Sequence, residues 1–107
     1  MQVLVNTDRH TTRTEELVQR VETIAKKELK HQSQHLTRVE YFLSDVNSEL
    51  RAGATDKRCL IEARVAGQKP VAAEHRSEDI QQSILEATRQ LVRGLEKVIS
   101  KSQDHRS

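Results

Sequence analysis

Apolar residues along this chain recur in some stretches at every second position and in others at three- to four-residue spacing, and the switches between these periods lay out its elements. From Gln2 to Asn6, Val3 and Val5 face one way and Leu4 the other, which predicts a short first strand. From Arg13 to Lys30 the stripe Leu17, Val21, Ile24 and Ala25, flanked by Val18 and Leu29, predicts a helix, and Thr12 and Glu15 ahead of it have capping-box spacing. A polar link with His31, Gln32, Ser33 and His35 leads to a second strand, Leu36 to Asp45, where Val39, Tyr41 and Leu43 alternate with Arg38, Glu40 and Phe42. The polar stretch Val46 to Asp56 reads as a flexible connection, and as a contact region only if the chain is a protein-interaction module. Lys57 to Ala66 alternates again, with Cys59, Ile61, Ala63 and Val65 against Arg58, Glu62 and Arg64. A turn at Gly67 to Pro70 then returns a short fourth strand, Val71 to Arg76, as a hairpin. Ser77 is the expected N-cap of a second helix, Glu78 to Lys101, on the stripe Ile80, Ile84, Ala87, Leu91, Leu95 and Val98. Gly94 weakens that helix, and the patternless tail Ser102 to Ser107 is expected to fray.

The order β-α-β-β-β-α predicts an α+β two-layer sandwich, a four-stranded mixed sheet with two helices on one face. Strands one and two are joined by a right-handed crossover and run parallel, while strands two to four form an antiparallel meander. All 107 residues read as one domain with an ordered core over about 2–101. Strands one and four each feed a helix and point the same way. The helices therefore run the same way too, with their C-terminal ends expected side by side.

That placement matters because charge is segregated along both helices. The total is modest: 18 Lys and Arg against 16 Asp and Glu leave a net charge of +2, too little to argue for nucleic acid. The distribution says more. The first helix opens on Glu15 and Glu16 and finishes on Lys26, Lys27, Lys30 and His31, and the second opens on Glu78 and Asp79 and then carries Arg89, Arg93, Lys97 and Lys101 at four-residue spacing. Complementing the helix dipoles, at about 0.3 to 1 kcal/mol per charge, explains the direction of this asymmetry. It does not explain four cations in one row, since like charges at i,i+4 repel by roughly 0.2 to 0.5 kcal/mol per pair. The row admits two readings, a solvated helix face or a phosphate-binding surface. On the outer sheet face, Arg38, Arg58 and Arg64 are expected in solvent, paired with nearby acids such as Glu40, Glu62 and Glu74. With Tyr41 and Phe42 the only aromatics, the sheet lacks the stacking platforms of a single-strand reader, and cation–phosphate contact with shape recognition fits better.

Candidate chemistry is sparse. Cys59 is the single cysteine and sits in a strand, so a buried inert thiol is expected. His31 and His35 have H-x-x-x-H spacing but no accompanying glutamate, cysteine or carboxylate pattern, and they read as surface histidines rather than metal ligands. No nucleophile elbow, phosphate loop or dinucleotide fingerprint occurs, so the chain reads as a non-enzyme that needs no metal and no cofactor. With mean hydropathy −0.74 and neither a signal-like N-terminus nor a membrane-length apolar run, a cytoplasmic protein is expected, monomeric when free.

Across nearly its whole length the pattern resembles the ribosome hibernation promoting factor and ribosome-associated inhibitor A family, also called sigma-54 modulation proteins. The resemblance is carried by the first strand, a Thr-started helix with Thr14-Glu15-Glu16-Leu17, the Cys59 to Val65 strand, the turn at Gly67 and the segment Arg89-Gln90-Leu91. It implies the fold already reached, and a protein lodged in the mRNA and tRNA channel of the small ribosomal subunit that holds translation idle under stress. It implies RNA contact by Arg89, Arg93 and Lys97 through the motif, and by Lys26, Lys27, Lys30 and Lys101 through charge and place. Two departures accompany it: Glu86 stands where the family often has lysine, and Glu78-Asp79-Ile80 replaces a tyrosine-containing segment. They imply weaker RNA binding or an altered ribosomal position. Without the second domain by which long members pair ribosomes, pairing is expected to need another factor. A protein-interaction module using its basic helix ends on an acidic partner is the competing reading.

Overall fold

A computed structural model describes residues 1–45 and 57–104; the flexible connection expected at 46–56 and the end of the tail at 105–107 lie outside the described residues. The elements are β1 (Gln2–Thr7), α1 (Glu15–Glu28), a single 3-10 turn (Ser33–His35), β2 (Leu36–Asp45), β3 (Lys57–Val65), β4 (Val71–Ser77) and α2 (Ile80–Asp104). The strand order is β1-β2-β3-β4, with β1 parallel to β2 and the other pairs antiparallel. This is the expected mixed sheet with two helices on one face.

Both helix starts differ from the sequence expectation. Thr14, not Thr12, caps α1: its backbone is extended and its hydroxyl accepts from Leu17 N at 3.1 Å, satisfying one of the first-turn donors. Asp79, not Ser77, caps α2, its Oδ1 accepting from Gln81 N at 3.0 Å. Ser77 pairs with Lys57 as the last residue of β4, so its backbone is committed to the sheet. At the other ends, α1 stops at Glu28 with Leu29 as its C-cap, short of Lys30, while α2 continues past Lys101 to Asp104.

One face of the sheet is dry. Val5, Val39, Tyr41, Leu43, Cys59, Ile61, Ala63 and Val65 are buried there beneath Val21, Ala25 and Leu29 of α1 and Ile84, Ala87, Leu91 and Leu95 of α2. Ile99, not the expected Val98, extends the α2 stripe onto the core, because it lies one turn beyond Leu95 and faces the His31–His35 segment. Gly94 sits where α2 crosses the start of β4, and a Cβ there would meet Val71 Cγ1 at 3.3 Å. The residue that weakens the helix therefore lets it approach the sheet closely. At the β3–β4 turn Gln68 N donates to Val65 O at 3.1 Å, and Gly67 takes φ 72, the left-handed value that glycine adopts without strain.

The interior also contains a polar bond that the periodicity does not announce. Thr88 donates its hydroxyl proton to Ile84 O at 2.7 Å, so the Tyr41 hydroxyl, 2.8 Å from Thr88 Oγ1, is the donor in that second bond. It ties β2 to α2 through the core, and burial holds the phenol well above its usual pKa. Burial likewise pushes the Cys59 thiol up to about 12. The native protein is expected to resist thiol-specific reagents at neutral pH and to react only after denaturation; rapid native labelling would contradict the packing of β3. Among the described residues, no helix is long and apolar enough to cross a membrane.

Candidate nucleic-acid interface

Strands β1, β2 and β4 point one way, so α1 and α2, returning from β1 and β4, both run the other way. The acidic helix starts fall at one end of the sheet and the basic helix ends toward the other. The helix ends are not level, however. Arg20 to Glu28 of α1 lies beside Asp79 to Arg89 of α2 across a groove of about 400 Å³, and α2 continues beyond, with Glu96, Ile99 and Ser100 against His31 to His35. The reason is length: α2 has 25 residues and α1 has 14. The candidate cations thus form a staggered strip, with Lys27 and Arg89 on the groove and Arg93, Lys97 and Lys101 running past α1's end.

Lys26, Lys27, Lys30, Arg89, Arg93, Lys97 and Lys101 are all exposed. They are not equivalent. Arg89 Nε lies 3.1 Å from Glu28 Oε1 across the two helices, and its Nη1 lies 3.8 Å from Glu86 Oε1. Arg93, Lys97 and Lys101 have no ion pair among the described residues. The acid at position 86, where the resemblance leads one to expect lysine, therefore draws on the first cation of the row. The tripeptide Arg89-Gln90-Leu91 divides its work by helical geometry: Arg89 points to solvent, Gln90 Nε2 meets His75 Nδ1 of β4 at 3.2 Å, and Leu91 is buried.

The outer sheet face differs from expectation in one respect. Arg58 is paired, its Nη2 at 2.7 Å from Glu74 Oε2, and this bond holds the Glu74 carboxyl below its usual pKa. Arg38 and Arg64, also expected to pair with acids, have no ion pair among the described residues. The physical reason is register. Each arginine lies directly opposite the other, and Glu40 likewise opposes Glu62, so opposite charges meet only on the diagonals. His31 is exposed and His35 half-buried at the link, and among the described residues no group of three His, Cys, Asp or Glu is placed to hold a metal ion.

Fold and charge together define a class of small mixed-sheet domain that carries its cations along two parallel helices. The chain matches the family described as sigma 54 modulation protein / S30EA ribosomal protein over residues 4–103, and it belongs to that family. Among solved structures, a ribosomal subunit interface protein from Coxiella burnetii superposes with a TM-score of 0.72 at 12% identity, covering 94% of this chain and 99% of that one. The N-terminal domain of Protein Y from Thermus thermophilus gives 0.71 at 20% identity, with 92% and 99% covered. At these identities the likeness establishes the fold. No curated protein matches the chain.

Proposed function

We propose that this protein is a cytoplasmic, ribosome-associated translation inhibitor that binds small-subunit ribosomal RNA in the mRNA and tRNA channel and idles the ribosome by occupying it. In a chain of the S30EA family, the observation that carries this reading is the run Arg93, Lys97 and Lys101, without an ion pair among the described residues, on the part of α2 that extends past α1. Such a row stays unfavourable in the free protein and becomes favourable against a phosphate backbone, where each contact releases counterions. The mechanism is steric exclusion and calls for no cofactor. Arg89, with Lys26, Lys27 and Lys30 near the α1 end, widens the contact.

Co-sedimentation with purified small subunits tests it. The protein is expected to travel with the subunit at low salt and to leave it as salt rises, with log K falling linearly in log salt. Free protein remaining at the top of the gradient at low salt would sink the proposal. Capture of a partner that survives nuclease treatment would instead support the protein-interaction reading.

A further inference from the structure

The face of the sheet turned away from the helices is laid out in cross-strand rows. Arg38 opposes Arg64, Glu40 opposes Glu62, Phe42 opposes Leu60 and Ser44 opposes Arg58. Like charges directly opposite are unfavourable in a sheet. At the far end the fold relieves this: Arg58 and its neighbour Arg76 share Glu74, at 2.7 and 3.5 Å. At the near end it does not. Arg38 and Arg64 have no ion pair among the described residues, and the adjacent Glu40 directs Oε2 to Asn6 Nδ2 at 2.8 Å. Arg38 Nε is covered and makes no hydrogen bond, as is Arg58 Nε at the far end, so what separates the two ends is the ion pairing and not the covered nitrogen.

The backbone is shaped to produce this pair. Leu36 opposes Val65 and Arg38 opposes Arg64, so Thr37 is an extra residue on β2, a β-bulge. In an uninterrupted strand with Leu36 facing inward, position 38 would also face inward. The bulge buries both Leu36 and Val39 and turns Arg38 outward against Arg64, while the Thr37 hydroxyl donates to Arg64 O at 3.3 Å. The pair also lies at the basic end of the molecule. Ala66, two residues past Arg64, donates its N–H to His35 O at 2.9 Å, and the His31–His35 segment lines one pocket together with Glu96, Ile99 and Ser100 of α2. Exposed Lys69 follows in the turn between β3 and β4 at the same end.

We propose that Arg38 and Arg64 form a second phosphate-binding site, so that RNA held by the α2 cations is also gripped on the outer face of the sheet at the same end. This rests on the RNA-binding reading above and adds to it a surface that the helices do not supply. Two arginines directly opposite on neighbouring strands carry planar forks suited to a phosphodiester, and an anion bound by both would offset their repulsion.

The test compares two glutamine pairs for binding to purified small subunits across a salt series. Arg38→Gln with Arg64→Gln removes the proposed site, and Arg58→Gln with Arg76→Gln removes two arginines from the far end of the same face. The first pair is expected to lower the magnitude of the salt slope by about 0.7 to 0.9, the share of one phosphate, and the second to leave it unchanged. Arg38→Lys with Arg64→Lys keeps the charge and is expected to retain the slope. Melting temperature should hold or rise in Arg38→Gln/Arg64→Gln because a like-charge pair is removed. If that pair keeps the wild-type slope while substitution of the α2 row lowers it, the outer-face site is wrong and the proposed function stands. Equal losses from both sheet pairs would also overturn the site. If wild-type protein does not bind small subunits at all, the functional reading falls, and this site with it.

Discussion

Replacing Arg89, Arg93, Lys97 and Lys101 together with glutamine is expected to abolish most ribosomal binding at moderate salt while leaving the fold intact. The four side chains are exposed and none supports the core, and glutamine has nearly the same helix propensity as lysine and arginine. Each lost phosphate contact should reduce the salt slope by about 0.7 to 0.9. The contributions should not be equal. Arg93, Lys97 and Lys101 have no ion pair to give up among the described residues, whereas Arg89 must first give up Glu28 and Glu86. The triple variant that keeps Arg89 is therefore expected to lose nearly as much as the quadruple one. Its melting temperature should stay level or rise, because repulsion along the row disappears and the Arg89–Glu28 pair, an exposed bridge worth about 0 to 1 kcal/mol, remains. Wild-type binding by the quadruple variant, measured by co-sedimentation, would return these cations to the role of a solvated face.

The elements of this fold were legible because their apolar periods are clean, and what escaped the sequence depends on contacts between elements. Thr12 and Thr14 both precede helical periodicity at capping distance. The choice falls to Thr14 because Asp8 N donates to Leu43 O and Arg13 Nε to Val5 O, which fixes the path of the chain into α1. Ser77 lost its expected capping role to the sheet, a pairing set by the length of β4. The Thr37 bulge is silent in the sequence, since the alternation from Arg38 onward reads the same with or without it. Strand alternation assigns Arg38 and Arg64 to one face but leaves their register open, so it could not show that each faces the other. The Arg89–Glu28 pair joins residues 61 apart in the chain and depends on how far the two parallel helices are offset. The candidate cations were legible as residues; which of them are neutralised was not.

Leu91→Ala is the substitution expected to cost the most stability, and it separates folding from binding. Leu91 is fully buried in the middle of α2, the helix that packs over β3 and β4 just before Gly94 brings the backbone close to Val71. Truncation removes the transfer free energy of the lost carbons and leaves a cavity that a helix held against a sheet cannot readily close. The loss should be about 2 to 5 kcal/mol. For a domain whose whole stability is on the order of 5 to 15 kcal/mol, this lowers the melting temperature by roughly 10 to 20 °C. Val98→Ala, on the same helix but outside the core cluster, should cost under about 1 kcal/mol. Below its lowered transition, Leu91→Ala should bind small subunits with the wild-type salt slope, because every cation remains in place. The α2 row variant is expected to do the reverse, melting normally and binding poorly. A Leu91→Ala loss no greater than that of Val98→Ala in thermal melts would mean that α2 does not seat on the sheet through Leu91.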